Sequence, residues 1–245
     1  MAPAPGVSLC GIFGYYTYHT PRSRQAILEC LLQGLRRQEY RGYDSAGLAL
    51  DAVPCGPWSE ELAFSLEEAR ASSRPTGALP PPCMVLKSSG KIADLEAQCY
   101  AELKKAGHDL SDEFSTHVGI AHTRWATHGP PSALNAHPHV SGPDHAFVVV
   151  HNGIITNFKA LRAYLVGKGE RFETETDTEV IPKLLAHLHR TLPGPPSFAQ
   201  LVSRAMRELE GAYGLLVKSA HHPESLVACR RGSPLILGVR VGRRE

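Results

Sequence analysis

The first residue that could do chemistry in this sequence is Cys10, which follows the leader MAPAPGVSL and opens the run CGIFGYY. A cysteine thiolate is a strong nucleophile, so a thiol here is a candidate for covalent catalysis. Free cysteine is also among the most buried residue types, so Cys10 could equally be a small hydrophobic side chain at the start of a strand. Taken alone, Cys10 leaves both interpretations open.

The other cysteines lie far apart, at positions 30, 55, 83, 99 and 229, and no two of the six form a C-x-x-C pair. This spacing argues against a zinc site and against a disulfide scaffold. We expect most of these thiols to be reduced and several to be buried.

A long polar connection, TRWATHGPPSALNAHPHVSGPDH, lies between two apolar runs and is dense in His, Asn and Arg. Long ordered loops often carry function, so this stretch is a candidate for the site. His128, His137 and His139 could be mistaken for a metal motif. No cysteine or carboxylate spacing accompanies them, so we expect no metal and no other cofactor.

Composition sets the class of protein. The chain has 245 residues, a net charge of +2, 42% hydrophobic residues and 20% charged residues, which is typical of a soluble globular domain. Lys and Arg are dispersed, so nucleic acid is not an expected partner. No apolar run approaches the roughly 20 residues that span a bilayer, and the N-terminus lacks the features of a secretory signal. We expect no membrane contact and a cytoplasmic location.

The elements that must position these residues follow from periodicity. Thr20 and Pro21 predict the start of a helix over 21–38, with leucines recurring on one face. A loop-rich insertion is expected at about 51–90, because proline and glycine dilute the periodicity there. Further helices are predicted over 91–106, 157–166, 177–190 and 197–210, and strands over 46–50, 118–122, 146–151, 212–218, 225–229 and 235–239. Strands early and late with helices grouped between them predict the α+β class.

Six words occur in order across nearly the whole chain: CGIFGYY, EYRGYDSAG, GIAHTRWATHG, NAHPH, VVHNGIITN and ETDTE. Together they closely resemble the class II glutamine amidotransferase domain. More narrowly, YRGYDSAG, TRWATHG and RRGSPL resemble the glutamine:fructose-6-phosphate amidotransferases of the hexosamine pathway, in their eukaryotic form. The words G-x-G-x-x-G, P-loop and G-x-S-x-G, which mark nucleotide sites and serine hydrolases, do not occur.

The resemblance implies an N-terminal-nucleophile hydrolase fold, a four-layer αββα sandwich of two antiparallel sheets. It implies that glutamine is hydrolysed to glutamate and ammonia through a cysteine thioester. In this family the cysteine begins the mature chain, and its own α-amino group handles protons. That group has an ordinary pKa near 7.7–8.0, which suits a general base at neutral pH.

The resemblance also implies a role for each site residue. Cys10 is the nucleophile, and Asn152 and Gly153 donate hydrogen bonds to the oxyanion. Arg124 and Asp177 bind the carboxylate and ammonium of glutamine. The remaining substrate-binding residues are Trp125, Thr127, His128 and His137.

Simpler interpretations of these residues stay open. The Asn152–Gly153 pair could form a simple turn, Arg124 could lie on the surface, and Trp125 could belong to the core. Asp177 could cap the helix predicted at 177–190, a role compatible with substrate binding. Arg41 and Asp44, in YRGYDSAG, are expected to support the site structurally.

Two departures from the family pattern affect the functional prediction. In the family the word reads Met-Cys-Gly and the methionine is removed, whereas here residues 1–9 precede Cys10. An amide nitrogen cannot act as the base, and losing a positioned base costs roughly 10²–10⁴-fold in rate. We therefore interpret 1–9 as a leader or propeptide-like extension cleaved after Leu9. A mistaken start site or an inactive paralogue are the alternatives.

The second departure is that residues 10–245 make up a glutaminase domain, whereas the family continues into sugar isomerase domains. Fructose 6-phosphate would therefore be a partner only through domains absent from this sequence, and a homo-oligomer is expected only of the full-length enzyme. Two other functions remain open: a catalytically silent glutamine-binding or regulatory module, and a glutaminase serving a different ammonia acceptor.

Overall fold

The structure is a computed structural model that describes residues 10–53, 83–126, 128–194 and 196–240. The predicted leader, 1–9, and most of the predicted insertion, 54–82, lie outside the described residues. Within the described ranges, no helix is both long enough and apolar enough to cross a membrane.

Two four-stranded antiparallel sheets form the centre of the molecule. The first has the order β1-β6-β3-β4 and the second the order β10-β9-β8-β7, while β2 pairs with β5 in a small separate ribbon. The strands are β1 (Gly11–Thr17), β2 (Arg22–Ser23), β3 (Ser45–Asp51), β4 (Cys83–Ser89), β5 (Glu113–Phe114), β6 (His117–Arg124), β7 (His139–Val140), β8 (Phe147–Ile155), β9 (Gly211–Ser219) and β10 (His222–Arg231).

Among the described residues, five α-helices cover the outer faces of these sheets. They are α1 (Arg24–Arg36), α2 (Ile92–Lys105), α3 (Phe158–Gly167), α4 (Val180–Thr191) and α5 (Phe198–Glu208). Leucines and isoleucines of α1 and α2 pack on the first sheet, and those of α4 and α5 pack on the second. A third cluster, which includes Ile120, Val148 and Leu216, lies between the sheets. The layers are therefore α, β, β and α, as predicted.

A buried ion pair also joins the two sheets. Lys218 of β9 contacts the carboxylate of Asp51 in β3, and both residues are only 4% exposed. Lys218 Nζ also donates to the carbonyl oxygen of Val118 in β6 at 3.1 Å, and the Val118 N–H donates to Asp51 at 2.9 Å. These contacts cross the centre of the sandwich.

Most predicted elements are present, and the differences have local causes. The first helix begins at Arg24, because residues 22–23 pair with β5 and Ser23 then accepts from the Ala26 N–H as the N-cap. The loop-rich insertion predicted at about 51–90 is too long at its C-terminal end, since Cys83–Ser89 is a strand paired along its whole length with β3.

The strand predicted over 235–239 is wrong. These residues belong to no strand or bridge among the described residues. Ile236, Leu237 and Val239 are 94%, 83% and 80% exposed. Their apolar pattern is typical of a strand, but they pair with no strand in the part of the chain that the structure describes.

Candidate active site

Cys10 lies immediately before β1, and the pairing of β1 with β6 places it at the end of β6. Gly11 lies opposite Thr123, so the Cys10 thiol reaches the backbone of Trp125. Its Sγ accepts from the Trp125 N–H at 3.2 Å and lies 3.4 Å from the Trp125 carbonyl oxygen. Cys10 is 7% exposed. These contacts orient the thiol at the mouth of a small cavity.

The cavity beside Cys10 has a volume of about 10 Å³. Its lining residues come from five separate parts of the chain: Cys10, Arg124, Trp125, His128, His137, His151, Gly153, Thr176, Asp177 and Thr178. Seven of the nine predicted site residues are among them. Asn152 precedes Gly153 in β8 but does not line this cavity, and Thr127 lies outside the described residues.

Arg124 is buried at the end of β6 and holds the turn that follows it. Its guanidinium donates to the carbonyl oxygens of His128, Gly129 and Pro130, at 2.5, 2.9 and 3.3 Å. The interpretation of Arg124 as a surface residue is therefore wrong, since it is 3% exposed. An incoming carboxylate would share this cation with the turn.

Asp44 supports the same end of β6 from the neighbouring strand. Its N–H donates to the Arg124 carbonyl oxygen at 2.8 Å, and its carboxylate accepts from the Ala126 N–H and from the Ser45 hydroxyl. The carboxylate also lies 3.8 Å from the Arg124 guanidinium. Asp44 therefore fixes the backbone on both sides of Trp125, which is the support expected of it.

Gly153 occupies a position that only glycine can take. It lies within β8, opposite Tyr213 of β9, with φ at 135°. A Cβ here would lie 2.2 Å from the carbonyl oxygen of Ala212. The backbone of Gly153 therefore approaches β9 closely while its open side lines the cavity. The Asn152–Gly153 pair lies within a paired strand, so the interpretation as a simple turn is wrong.

Asp177 does not cap a helix. The helix predicted at 177–190 begins at Val180 with Glu179 at its N-cap. One carboxylate oxygen of Asp177 accepts from the Ile155 N–H at 2.8 Å, and the carboxylate is 4% exposed beside the cavity. Asp177 is thus a buried anion held by β8 and directed at the site.

Four buried histidines lie at the cavity: His137 and His151 line it, and His122 and His139 pack against His137. Burial lowers the pKa of each, and the neighbouring histidines lower it further, so the rings are neutral at physiological pH. The pKa of His122 falls to about 3. No group of His, Cys, Asp and Glu within the described ranges is arranged to hold a metal ion.

The Thr178 hydroxyl joins two of these rings to the site. Its Oγ1 lies 2.9 Å from His137 Nε2 and 2.7 Å from His151 Nδ1. The same hydroxyl also lies within donating distance, 3.5 Å, of Asp177 Oδ1, so its single proton has three acceptors to choose from. Thr178 therefore links both rings to Asp177.

Trp125 is 46% exposed, so its interpretation as a core residue is wrong. Its ring lies against Gly42, where a Cβ would approach within 3.0 Å. Trp125 and His128 flank the narrow cavity on the solvent side. A cavity of about 10 Å³ holds one water at most, so a larger ligand enters only if this loop moves.

His151, Thr176 and Thr178 line the cavity but were not predicted as site residues. Each adjoins a predicted one: His151 precedes Asn152, and the two threonines lie on either side of Asp177. These residues belong to the words HNG and ETDTE, which the sequence had already indicated. The sequence pattern of an extended segment does not show which of its neighbouring residues face the same cavity.

Comparisons with known proteins agree with this geometry. Residues 122–240 match the family model described as a glutamine amidotransferase domain. The chain is 46% identical over 233 residues, 95% of its length, to glutamine–fructose-6-phosphate aminotransferase [isomerizing] 1 of Rattus norvegicus and to the isomerizing enzyme 2 of Homo sapiens. It is 43% identical over 235 residues to the Saccharomyces cerevisiae enzyme. The chain spans about a third of these relatives, 31%, 31% and 29% of their lengths.

Two solved structures share the fold. A glutamine phosphoribosylpyrophosphate amidotransferase from B. subtilis, complexed with ADP and GMP, gives a TM-score of 0.54 at 21% identity, covering 89% of this chain and 36% of that one. An allosteric regulatory enzyme of purine biosynthesis gives 0.55 at 22% identity, covering 85% and 35%. At these identities the likeness concerns the fold alone. It confirms the N-terminal-nucleophile hydrolase architecture.

Proposed function

The chain belongs to the glutamine amidotransferase domain family, and from this premise we propose that it hydrolyses glutamine to glutamate and ammonia with Cys10 as the nucleophile. The observation that carries the proposal is the cavity beside Cys10. There, seven side chains and backbone groups predicted from the family resemblance meet from distant parts of the chain.

In the proposed reaction, the Cys10 sulfur attacks the side-chain amide carbon of glutamine. A carbon–sulfur bond forms, the carbonyl oxygen becomes an oxyanion, and the carbon–nitrogen bond breaks to release ammonia. Water then attacks the γ-glutamyl thioester, releasing glutamate and returning the thiol. The α-amino group of Cys10 moves the protons in both halves, and the Gly153 N–H and the Asn152 amide stabilise the oxyanion.

Substrate orientation is assigned to two buried charges. The Asp177 carboxylate would bind the ammonium of glutamine, and Arg124 would bind its carboxylate. Trp125, Thr127, His128 and His137 would enclose the bound substrate. Because the cavity is far smaller than glutamine, the loop carrying Trp125 and His128 has to open first.

We extend the proposal to the longer protein of which this domain would be a part. The ammonia would be used to make glucosamine 6-phosphate from fructose 6-phosphate, which feeds UDP-GlcNAc synthesis in the cytoplasm. Fructose 6-phosphate would bind in isomerase domains beyond this sequence, and homo-oligomers would form through the full-length enzyme. The names of the relatives at 46% identity support this extension.

One observation favours a second function. In this sequence Leu9 is joined to Cys10, so the α-nitrogen of Cys10 is an amide and cannot serve as a base. Uncleaved, the domain would be a catalytically silent glutamine-binding module.

The test compares the full chain with a form cleaved after Leu9, so that Cys10 becomes the first residue. Glutamate release is measured for both, and both are treated with 6-diazo-5-oxo-norleucine. We expect the cleaved form to be labelled at Cys10, with the buried Cys99 serving as internal control. The uncleaved form should be slower by roughly 10²–10⁴-fold.

Other outcomes have distinct meanings. Equal activity in the two forms contradicts the role of the α-amine. Labelling at another cysteine contradicts the assignment of the nucleophile. Glutamine binding without hydrolysis in either form establishes the silent binding module instead.

A further inference from the structure

The word NAHPH contains a residue, Asn135, to which the proposed reaction gives no role. Asn135 is 3% exposed and does not line the cavity at Cys10. Its backbone is fixed in the turn that precedes β7, where the Asn135 N–H donates to the Ser132 hydroxyl at 3.1 Å. A buried side-chain amide has to find hydrogen-bond partners inside the protein. The partners of Asn135 therefore indicate what it does.

The Asn135 side chain joins two separate segments of the chain next to the cavity. Its Nδ2 donates to the carbonyl oxygen of Pro130 at 3.0 Å, and its Oδ1 accepts from the Glu175 N–H at 3.1 Å. Pro130 ends the turn 128–130, and Glu175 lies in the segment 173–179. One side-chain amide therefore holds the turn against the segment.

The turn and the segment approach each other closely at Gly129. This residue has φ at 74°, in the left-handed region that favours glycine. A Cβ here would lie 2.9 Å from Asn135 Nδ2 and 3.0 Å from the Cβ of Glu175. The lack of a side chain at Gly129 lets the turn lie directly against the asparagine and the segment.

The segment 173–179 is fixed to the rest of the domain by contacts of its own. Arg162 of α3 donates to the carbonyl oxygen of Thr174 at 2.8 Å. The Asp177 carboxylate accepts from the Ile155 N–H of β8 at 2.8 Å. The segment is therefore the stationary partner, and the turn is the part whose position depends on the asparagine amide.

Arg124 holds the same turn, but the proposed reaction also requires its guanidinium. Arg124 donates to the carbonyl oxygen of Pro130 at 3.3 Å, which is the acceptor that it shares with Asn135. A carboxylate is a stronger acceptor for a guanidinium than a carbonyl oxygen is, so bound glutamine would draw Arg124 away from the turn. The Asn135 amide is neutral and would keep its contact with Pro130.

We propose that Asn135 is a positioning residue for the glutaminase reaction, which holds the turn 128–130 in place beside Cys10 while Arg124 binds the substrate. The inference rests on the proposed function, because that function assigns the substrate carboxylate to Arg124. His128 of the turn lines the cavity at Cys10. Loss of the Asn135 amide should therefore release the turn more often and expose the Cys10 thiol.

The first experiment measures how fast Cys10 is alkylated by iodoacetamide at pH 7.5 in the full chain, by mass spectrometry of each cysteine peptide. Asn135→Ala should raise this rate about tenfold, the factor expected for the loss of two hydrogen bonds of ordinary net strength. Cys30, half-buried on α1, and Cys99, buried on α2, should react at wild-type rates. Asn135→Leu removes the same two bonds, keeps the branched shape of the side chain and should give the same result.

Asn157→Ala is the matched control. Asn157 Nδ2 donates to the carbonyl oxygen of Glu208 at 2.8 Å, and its Oδ1 accepts from the Glu210 N–H at 3.1 Å. The variant therefore removes the same kind of bridge at a place that does not line the cavity. Its rate of Cys10 alkylation should stay within about twofold of the wild-type rate.

Amide hydrogen exchange, followed by NMR, tests whether Asn135 acts through the turn. Asn135→Ala should lower the protection of the Trp125 N–H, which donates to Cys10 Sγ at 3.2 Å, by about tenfold. The Ile155 N–H, bonded to the Asp177 carboxylate, should keep its wild-type protection. A residue that only stabilised the domain as a whole would change both.

Four results would overturn the inference. They are an unchanged Cys10 rate in both Asn135 variants, an equal rise at Cys99, an equal rise in Asn157→Ala, and an equal loss of protection at Ile155. Neither measurement requires glutamine hydrolysis. A protein that hydrolyses no glutamine but shows the expected alkylation and exchange would contradict the proposed function while confirming that Asn135 holds the turn.

Discussion

Replacing Lys218 by methionine should lower the free energy of unfolding by about 3–5 kcal/mol, the usual cost of removing one partner of a buried ion pair. Methionine nearly matches the length of lysine, so the variant removes charge with little change in packing. It leaves the Asp51 carboxylate, 4% exposed, with the Val118 N–H at 2.9 Å as its remaining short hydrogen bond within the described chain.

The magnitude follows from what surrounds Asp51. His117 Nε2 lies 3.8 Å from its carboxylate, but burial lowers the pKa of His117 to about 4 while Lys218 is present, so in the wild-type protein the ring is neutral at pH 7 and Lys218 is the cation that balances Asp51. Removing the charge of Asp51 as well should recover part of the loss. The double variant Asp51→Asn, Lys218→Met should therefore be more stable than Lys218→Met alone.

The assay is urea unfolding at pH 7.5, followed by fluorescence, with Lys159→Met as the control. Lys159 is exposed on α3, so its replacement should change stability by less than about 0.5 kcal/mol. A loss below about 1 kcal/mol for Lys218→Met, or a double variant no more stable than the single one, would refute the view that this ion pair ties the two sheets together.

Three further predictions concern the site and its surroundings. Gly153→Ala should lower the free energy of unfolding in urea by more than about 3 kcal/mol, because its Cβ would lie 2.2 Å from a backbone oxygen. The control is Gly167→Ala, whose Cβ would have nothing within 4 Å. Equal stabilities of the two variants would contradict the predicted strain at Gly153. Acid should destabilise the protein, because the pKa values of His117 and His122 are lowered in the folded state to about 4 and 3. Below the unfolded-state pKa of about 6.5 the unfolded chain binds protons at these two histidines that the folded protein does not bind, so stability falls as the pH falls. Each should lose on the order of 2 kcal/mol between pH 7.5 and pH 5, and a flat urea midpoint over that range would count against neutral buried rings. Thr178→Val should lower the free energy of unfolding by about 1–3 kcal/mol, because it leaves buried ring nitrogens of His137 and His151 without a partner. Thr178→Ser keeps the hydroxyl and should be as stable as wild type. Wild-type stability of both variants would show that the hydroxyl bridge is unimportant.

The layers of the fold were predictable because each helix and most strands carry a strong local pattern. The helix predicted over 197–210 is present as Phe198–Glu208, opened by a capping box between Ser197 and Gln200. The strand predicted at 46–50 is the centre of β3. Where prediction was wrong, pairing outweighed local pattern. Residues 22–23 are extended because β5 pairs with them, whereas residues 235–239 pair with no strand within the described ranges.

The catalytic cavity was predictable only in part. Family words located Cys10, Arg124 and Asp177, yet each of these words covers a few consecutive residues. The roles of Asp44 and Thr178 depend on contacts between segments more than 25 residues apart, such as that from Thr178 to His151 at 2.7 Å.

The pairing of β1 with β6 has a consequence for how the protein acquires its reactive thiol. Gly11 lies opposite Thr123, so the strand beside Cys10 cannot pair with β6 until the ribosome has made about half of the chain. Contacts of such high sequence separation carry a large loop-closure entropy and form late. The nascent chain therefore exposes an ordinary cysteine, and the surroundings of the proposed nucleophile are assembled only when the first sheet closes.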